Sequence, residues 1–390
     1  MSSARRILAG LLFLAIALSV LGFGHYYIAA RLVLDPELGS PARELGLGLI
    51  ALGLVSLFAQ PIAERTLHKP WSRLIAWPAS LWMGIAFLFL IVLGAGDLLR
   101  FLAGNAAWAA GGALPEPVAS ARAQAASALG IVGVAGAFAL YSGLRPPRLA
   151  RVEIPLAGWP KALDGFRIAQ ISDIHIGPLL DHRFSRHLTE RVNALAPDLI
   201  CVTGDLVDGS AHLLADEVAP FGGLRARHGV YFVTGNHDHY SGAVAWIEVV
   251  TKLGLIPLRN RHVVISRDGA AFTLAGVDDH RGGFNDDQRE DLEAALAGRD
   301  PELPVVLLAH DPATFKGASR RGVALQLSGH THGGQIWPFR YLVRLATPFV
   351  AGRYARNGSE LYVSRGTGFW GPPMRLFSPA EITELTLRSR

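Results

Sequence analysis

The chain has 390 residues, half of them hydrophobic, and a net charge of +5. A mean hydropathy of +0.29 is high for a soluble enzyme, and the length suffices for two or three domains with a full core. A single cysteine, Cys201, excludes an intrachain disulfide; it lies in the apolar run 199–202, where a packing role in a reducing compartment is expected.

The apolar excess is concentrated in the first third. Stretches at 7–30, 45–62, 74–96 and 123–143 approach the roughly 20 residues that cross a bilayer. The second is short and meets Gln60-Pro61, and the fourth is diluted by Ala, Gly and Ser. Arg5-Arg6 ahead of the first also fits an export signal, but further spans follow it. Lys and Arg flanking the spans divide eight to four. Arg5, Arg6, Arg65, Lys69, Arg73, Arg145, Arg148 and Arg151 fall on one side, with Arg31, Arg43, Arg100 and Arg122 on the other. That bias places the N-terminus and the C-terminal half in the cytoplasm, with a multi-pass anchor in the inner (cell) membrane. No ionisable residue stands in the middle of these four stretches, so no ion pathway is read from them. The boundaries that follow are a membrane region at 1–144, a juxtamembrane linker at 145–164 around Pro146-Pro147, and a C-terminal domain at 165–390.

From Phe166 onward strand-like and helix-like segments alternate. Strands are expected at 167–172, 198–203, 230–234, 273–276, 305–309 and 324–328, with helices at 183–195, 243–253 and 288–296. Late strands are expected at 360–364 and 381–387. The pattern predicts an α/β layered domain. Five short blocks close these strands: Asp173-Ile-His175, Gly204-Asp205, Gly235-Asn236-His237-Asp238, His310 and Gly329-His330-Thr331-His332. Asp, Asn and His supply the oxygen and imidazole ligands that suit manganese, iron or zinc. Loops just past strand C-termini are where α/β domains present such groups. The three glycines before ligand positions suggest tight turns with unusual backbone angles.

The five blocks resemble the calcineurin-like metallophosphoesterases, whose pattern is D-x-H, G-D-x-x-D, G-N-H-[DE], a lone H, and G-H-x-H. Asp208 completes the second block, and no ligand position departs from the pattern. Gly333-Gly334-Gln335 and the run 364–368 resemble the branch with multi-spanning membrane anchors. The resemblance implies a four-layer α/β/β/α sandwich over 165–390 and two divalent cations sharing Asp205. By motif position, Asp173, His175 and His332 would complete one cation site, and Asn236, His310 and His330 the other. His237 matches the family's non-ligand histidine, expected to give a proton to the leaving oxygen. Asp238 is expected to orient that imidazole or to cap a turn. Asp208 is expected to brace its loop, and Asp278-Asp279-His280 to form a solvated turn.

The stretch from Trp337 to Arg375 carries six arginines against one acid, Glu360, interleaved with aromatics. That mixture suits a membrane interface or a lipid phosphate, with nucleic acid as the competing partner. Arg340 and Arg365, nearest the last ligand block, are the candidate substrate-binding residues. The expected activity is hydrolysis of a phosphodiester or pyrophosphate bond in a lipid-linked substrate. The resemblance offers UDP-2,3-diacylglucosamine of lipid A synthesis as one such substrate. The alternatives are a nucleotide or nucleic-acid phosphodiesterase tethered to the membrane, and a non-catalytic metal-binding scaffold. The intact ligand set argues against the scaffold.

Overall fold

The structure, a computed structural model, describes residues 3–111, 116–280 and 289–390. The chain divides into two compact units, Met1–Leu140 and Tyr141–Arg390.

The first unit is helical: α1 (Ser3–Ala29), a π-helical turn (Ala30–Leu34), α2 (Ala42–Thr66), α3 (Trp71–Ala109) and α4 (Pro117–Leu144). Four segments, Ala15–Leu34, Ala42–Thr66, Trp71–Ala109 and Pro117–Leu144, are long and apolar enough to cross a membrane. Gly53 on α2 leaves room for the Trp82 indole of α3, where a Cβ would collide with the ring. Close approach at small residues is how helices pack in lipid. The expectation that no ionisable residue stands mid-span is corrected here, because the first span runs over Ala15–Leu34. His25 lies within α1 and accepts from Trp82 Nε1 at 2.9 Å. Helix α3 runs well past the expected end at residue 96, because Asp97 is fully partnered. Its carboxylate accepts from Tyr27 Oη at 2.7 Å, Arg31 Nε at 2.8 Å and Gln124 Nε2 at 2.8 Å. A charge so compensated need not end an apolar helix.

The second unit holds two six-stranded sheets. The first has the order β1 (Arg148–Leu156), β12 (Glu381–Ser389), β2 (Phe166–Ile171), β3 (Leu199–Thr203), β4 (Val230–Val233), β5 (Ile256–Pro257). The second has the order β10 (Gly352–Arg356), β11 (Ser359–Val363), β9 (Leu325–Ser328), β8 (Val305–Leu308), β7 (Ala270–Gly276), β6 (Arg261–Arg267). Strands β2, β3 and β4 are mutually parallel, as are β7, β8, β9 and β11. Side chains alternate across the first sheet as a pleat requires. Ile168, Leu199, Cys201, Tyr231 and Val233 meet Phe272, Leu274, Val306, Leu308 and Leu325 between the sheets. Ala169, Ile200, Val202 and Phe232 face the other way. They pack on α5 (His182–Asn193), α6 (Ala211–Val218) and α8 (Ala243–Lys252) through Leu188, Val192, Val218, Trp246 and Val250. On the far side, Ala275, Val305 and Leu307 meet Leu292 of α9 (Leu292–Leu296) and Ala318 of α10 (Phe315–Ala318). Helix, sheet, sheet and helix make the four layers expected.

Every strand expected from the sequence is present, and four more appear. The stretch expected as linker contains β1, which pairs in parallel with β12. Its pattern of partly exposed residues has no clean alternation, which hides it from a sequence reading. Strands β5, β6 and β10 are edge or near-edge strands with the same weakness. The expected start of a helix at Gln288 lies outside the described residues. Asp278 and Asp279 correct the expected solvated turn: both are buried, and Asp278 pairs with Arg259 at 3.0 Å and accepts from Thr234 Oγ1 at 2.8 Å.

Candidate metal centre

The loops after β2, β3 and β4 carry Asp173, Asp205 and Asn236, and those after β8 and β9 carry His310 and His330. Because the strands end at one rim of the two sheets, residues far apart in sequence converge. Donor atoms of Asp173, His175 and His332 lie within 4.8 Å of one another, as do those of Asp205, His310 and His330. Asp205 Oδ2 stands 3.1 Å from His310 Nε2 and 3.8 Å from His175 Nε2, so one carboxylate lies between the two groups. His332 Nε2 is 3.4 Å from Asp173 Oδ1 and 3.1 Å from His175 Nε2. His330 Nδ1 is 3.2 Å from His310 Nε2.

Backbone strain marks the same residues. Asp173, His175, Asp205, His330 and His332 have φ of 51°, 53°, 52°, 71° and 50°. The left-handed region costs a non-glycine residue ~1 kcal/mol or more, and five such positions around one crevice are a mark of function. The motif glycines answer a second need. Gly204 has the expected positive φ of 86°, but Gly235 and Gly329 do not. They are small because a Cβ on Gly235 would collide with the Asp205 carboxylate, and one on Gly329 with Ser172 Oγ and Asp173 Oδ2. Absence of bulk, rather than an unusual angle, explains these two.

Hydrogen bonds set the tautomers. His310 Nδ1–H donates to Thr203 O at 2.8 Å, and His175 Nδ1–H to Asp208 Oδ1 at 2.9 Å. Each turns Nε2 toward the other ligand side chains, the arrangement of a metal-ligating imidazole. Burial pushes the His330 and His332 pKa values down, helped by His310 for the first and by His175 and Arg375 for the second. Burial opposes ionisation of Asp205, but the His310 charge and hydrogen bond prevail and hold its carboxyl well below the usual range. Asp173 Oδ2 and Asn236 Oδ1 are buried without a hydrogen-bond partner among the described residues. Carboxylates, orphaned acceptors and imidazoles, two of which (His330 and His332) burial holds neutral, together are a donor set that fits divalent cations.

His237 sits at the mouth, with its backbone N–H on Asp205 Oδ1 at 2.8 Å. Its ring contradicts the expected partner. Asp208 Oδ1, not Asp238, pairs with His237 Nδ1, at 2.7 Å, and the same oxygen pairs with His175. Burial would lower the His237 pKa, but the Asp208 hydrogen bond and charge raise it to about 9. Asp238 is fully buried and faces backbone. It accepts from the N–H groups of Asp205 at 2.9 Å, Leu206 at 2.9 Å and Gly235 at 2.8 Å. It thus shapes two ligand loops and does not orient His237. A helical start at α7 (Asn236–Tyr240) turns its side chain back to the loop it caps. Sequence spacing alone misleads here, since the neighbour in sequence points away and the neighbour in space lies about thirty positions earlier.

The arginines divide differently from the sequence expectation. Arg340 is exposed, with its backbone against Gly334, and Arg365 is engaged by Glu381 at 2.9 Å. Neither is drawn into the ligand cluster. Arg375 is instead fully buried, donating to Gly368 O and Ser378 O, with Nη2 3.4 Å from His332 Nδ1. Burial brings its pKa down to about 10. Gln335 also escaped the sequence reading. Its amide donates to Trp370 O at 2.9 Å and accepts from Trp370 N at 3.0 Å, fixing a loop whose exposed indole lies 5.6 Å from the His237 ring. Tyr240 approaches His237 from a second direction at 5.5 Å.

Residues 166–334 match the calcineurin-like phosphoesterase family. The chain is 40% identical over 280 residues to a transmembrane protein with metallophosphoesterase domain from Bos taurus, covering 68% of this chain and 62% of that one. Its Danio rerio counterpart is 37% identical over 274 residues, with 68% and 63% covered. The chain therefore spans less than two thirds of the length of these relatives. An uncharacterized metallophosphoesterase of Bacillus subtilis is 31% identical over 281 residues, with 68% of this chain and 94% of that one covered. With likeness extending over nearly the whole of that bacterial protein, and the ligand blocks gathered at one rim of the sandwich, the chain belongs to the calcineurin-like metallophosphoesterase family.

Proposed function

We propose that the chain is a membrane-anchored hydrolase of phosphodiester or pyrophosphate bonds that works with two divalent cations, manganese, iron or zinc. Its substrate in this reading is lipid-linked, with UDP-2,3-diacylglucosamine as a candidate. The observation that carries the proposal is the place of Asp205 Oδ2 between His310 and His175, at 3.1 and 3.8 Å. A carboxylate shared by two imidazole groups is what a cation pair requires. Asp173, His175, Asp205 and His332 would hold one cation, and Asp205, Asn236, His310 and His330 the other. Bound there, such cations supply Lewis acidity, lowering the pKa of water and neutralising charge on a phosphoryl group.

His237 is the proton donor in this scheme. Asp208 holds Nδ1, so Nε2–H is the position from which a proton passes to the leaving oxygen as the P–O bond breaks. Asp238 keeps the Asp205 loop in shape. The four apolar helices and the eight-to-four cation bias support a multi-pass anchor in the inner membrane, with the catalytic unit in the cytoplasm. In this reading the membrane region ends with α4 and the catalytic domain begins with β1.

A second reading, hydrolysis of nucleotides or nucleic acid, is favoured by Trp370 and Tyr240 beside His237, since exposed aromatic rings can stack a base. The test is a hydrolysis panel on the detergent-solubilised full chain with manganese. It compares a phosphomonoester, bis(p-nitrophenyl) phosphate, UDP-2,3-diacylglucosamine and short single-stranded DNA. The lipid-linked pyrophosphate should be cleaved best. Preference for DNA would put the second reading first, and no cleavage of any of the four would overturn both. A reporter fused after Arg390 should be active only as a cytoplasmic fusion; activity of a periplasmic reporter would reverse the topology.

A further inference from the structure

Helix α11 (Phe339–Ala346) has no buried residue, although it lies between two segments that do. Its sequence, FRYLVRLA, puts Arg340 and Arg344 one turn apart on one stripe and apolar side chains on the rest of the circumference. Tyr341 and Leu342 are each 54% exposed, and Leu345 84%. A helix with so wide an apolar face would ordinarily bury it. Beside it Phe377 is 72% exposed, its ring centroid 6.4 Å from that of Trp337, which is itself exposed. Phe377 has φ of 58°, a conformation that bulky residues avoid, so backbone strain is accepted to hold this ring outward.

We propose that α11, with Trp337 and Phe377, is a docking face that inserts into the surface of an anionic bilayer. Three observations select a bilayer as the occupant. The face combines apolar side chains and aromatics with arginines and has no acid between Trp337 and Ser359, the composition of an interfacial helix. The chain carries four helices fit to span a membrane, and only residues 145–147 separate the last from β1. A bilayer is therefore present at high effective concentration. The helix is also rigidly tied to the metal centre: a Cβ on Gly334 would strike Arg340 Cα, and Gly334 follows His332 by two positions. Docking α11 would hold the mouth containing His237 and Trp370 at the level of the lipid headgroups. The inference rests on the membrane anchorage of the proposed function but not on its chemistry.

Cys201 is the chain's only cysteine and fully buried, so a Leu345→Cys variant of the full chain takes a spin label at one place. The labelled protein is reconstituted into vesicles of phosphatidylcholine with phosphatidylglycerol. The nitroxide should collide more with oxygen than with a water-soluble nickel chelate, whereas one at Glu302→Cys, on an exposed turn, should do the reverse. Equal access of the nickel chelate at both positions would overturn the proposal. Dipolar broadening between labels would also overturn it, because a second copy of the chain would then cover the face. In a second measurement, the Leu342→Glu/Leu345→Glu variant should slow hydrolysis of a bilayer-borne phosphodiester about tenfold. Hydrolysis of bis(p-nitrophenyl) phosphate should change less than about twofold; a similar loss on both substrates, or on neither, counts against docking. The immersion measurement needs no turnover. A protein that inserts its label but cleaves nothing sinks the catalytic reading alone.

Discussion

Three aspartates within six positions of a ligand illustrate how far role departs from type. Asp205 lies between two imidazole groups, Asp208 holds two histidines through one oxygen, and Asp238 accepts three backbone N–H bonds. Three variants should therefore fail in three ways. Asp205→Asn removes the shared charge, so turnover should vanish and metal content fall when measured by elemental analysis; two bound metals with a near-normal rate would refute the bridge. Asp208→Asn should keep the fold and slow turnover by about 10–100-fold, the usual effect of disturbing a partner behind metal ligands. Asp238→Ala leaves three N–H groups unpaired in the interior, each worth about 1–3 kcal/mol, so its signature is a large fall in melting temperature. His237→Ala should retain both metals and lose roughly 10²–10⁴-fold in rate, less for a nitrophenol leaving group than for a poor one. An equal loss on both leaving groups would remove the proton-donor role. The ligand blocks were legible in the sequence because each ligand sits within a few residues of a strand end. Their supporting partners were not, because a hydrogen bond such as Asp208 to His237 crosses between loops.

At the level of elements, central strands announced themselves and edge strands did not. β3, β4 and β8 are buried throughout and read as apolar runs; β2 and β9 each carry two polar residues, yet all but Arg167 are buried. β1, β6 and β10 are partly exposed, and their mixed composition looked like linker or loop. The same logic hid the length of α3, since a charge at Asp97 ends an apolar window even when three partners neutralise it. The junctions between strand and loop are the least tolerant places. Gly329→Ala forces its Cβ into Asp173 and Ser172, so a folded protein with reduced metal occupancy is expected. Circular dichroism together with metal analysis separates that outcome from simple unfolding. Full occupancy in the variant would mean that the loop yields more readily than its contacts suggest.

For the molecule as a whole, the cost of gathering carboxylates and imidazoles in a buried crevice predicts that the second unit depends for stability on what it binds. Chelation of the purified protein should lower its melting temperature by about 5–10 °C, as expected for removing a ligand held at about a hundred times its dissociation constant. An unchanged melting curve after verified metal removal would show that the crevice is stable without cations. The pairing of β1 with β12 bears on how the chain is made. Arg151 and Glu384, which face each other across these strands, are 233 positions apart. Strand β1 directly follows the last apolar helix, yet its strand partner among the described residues is β12, made more than two hundred residues later. The edge of the first sheet must therefore wait, unpaired, until β12 has been made. A stop codon placed before Glu381 would take out an interior strand, not a fringe: β1 and β2 would both lose the neighbour that lies between them.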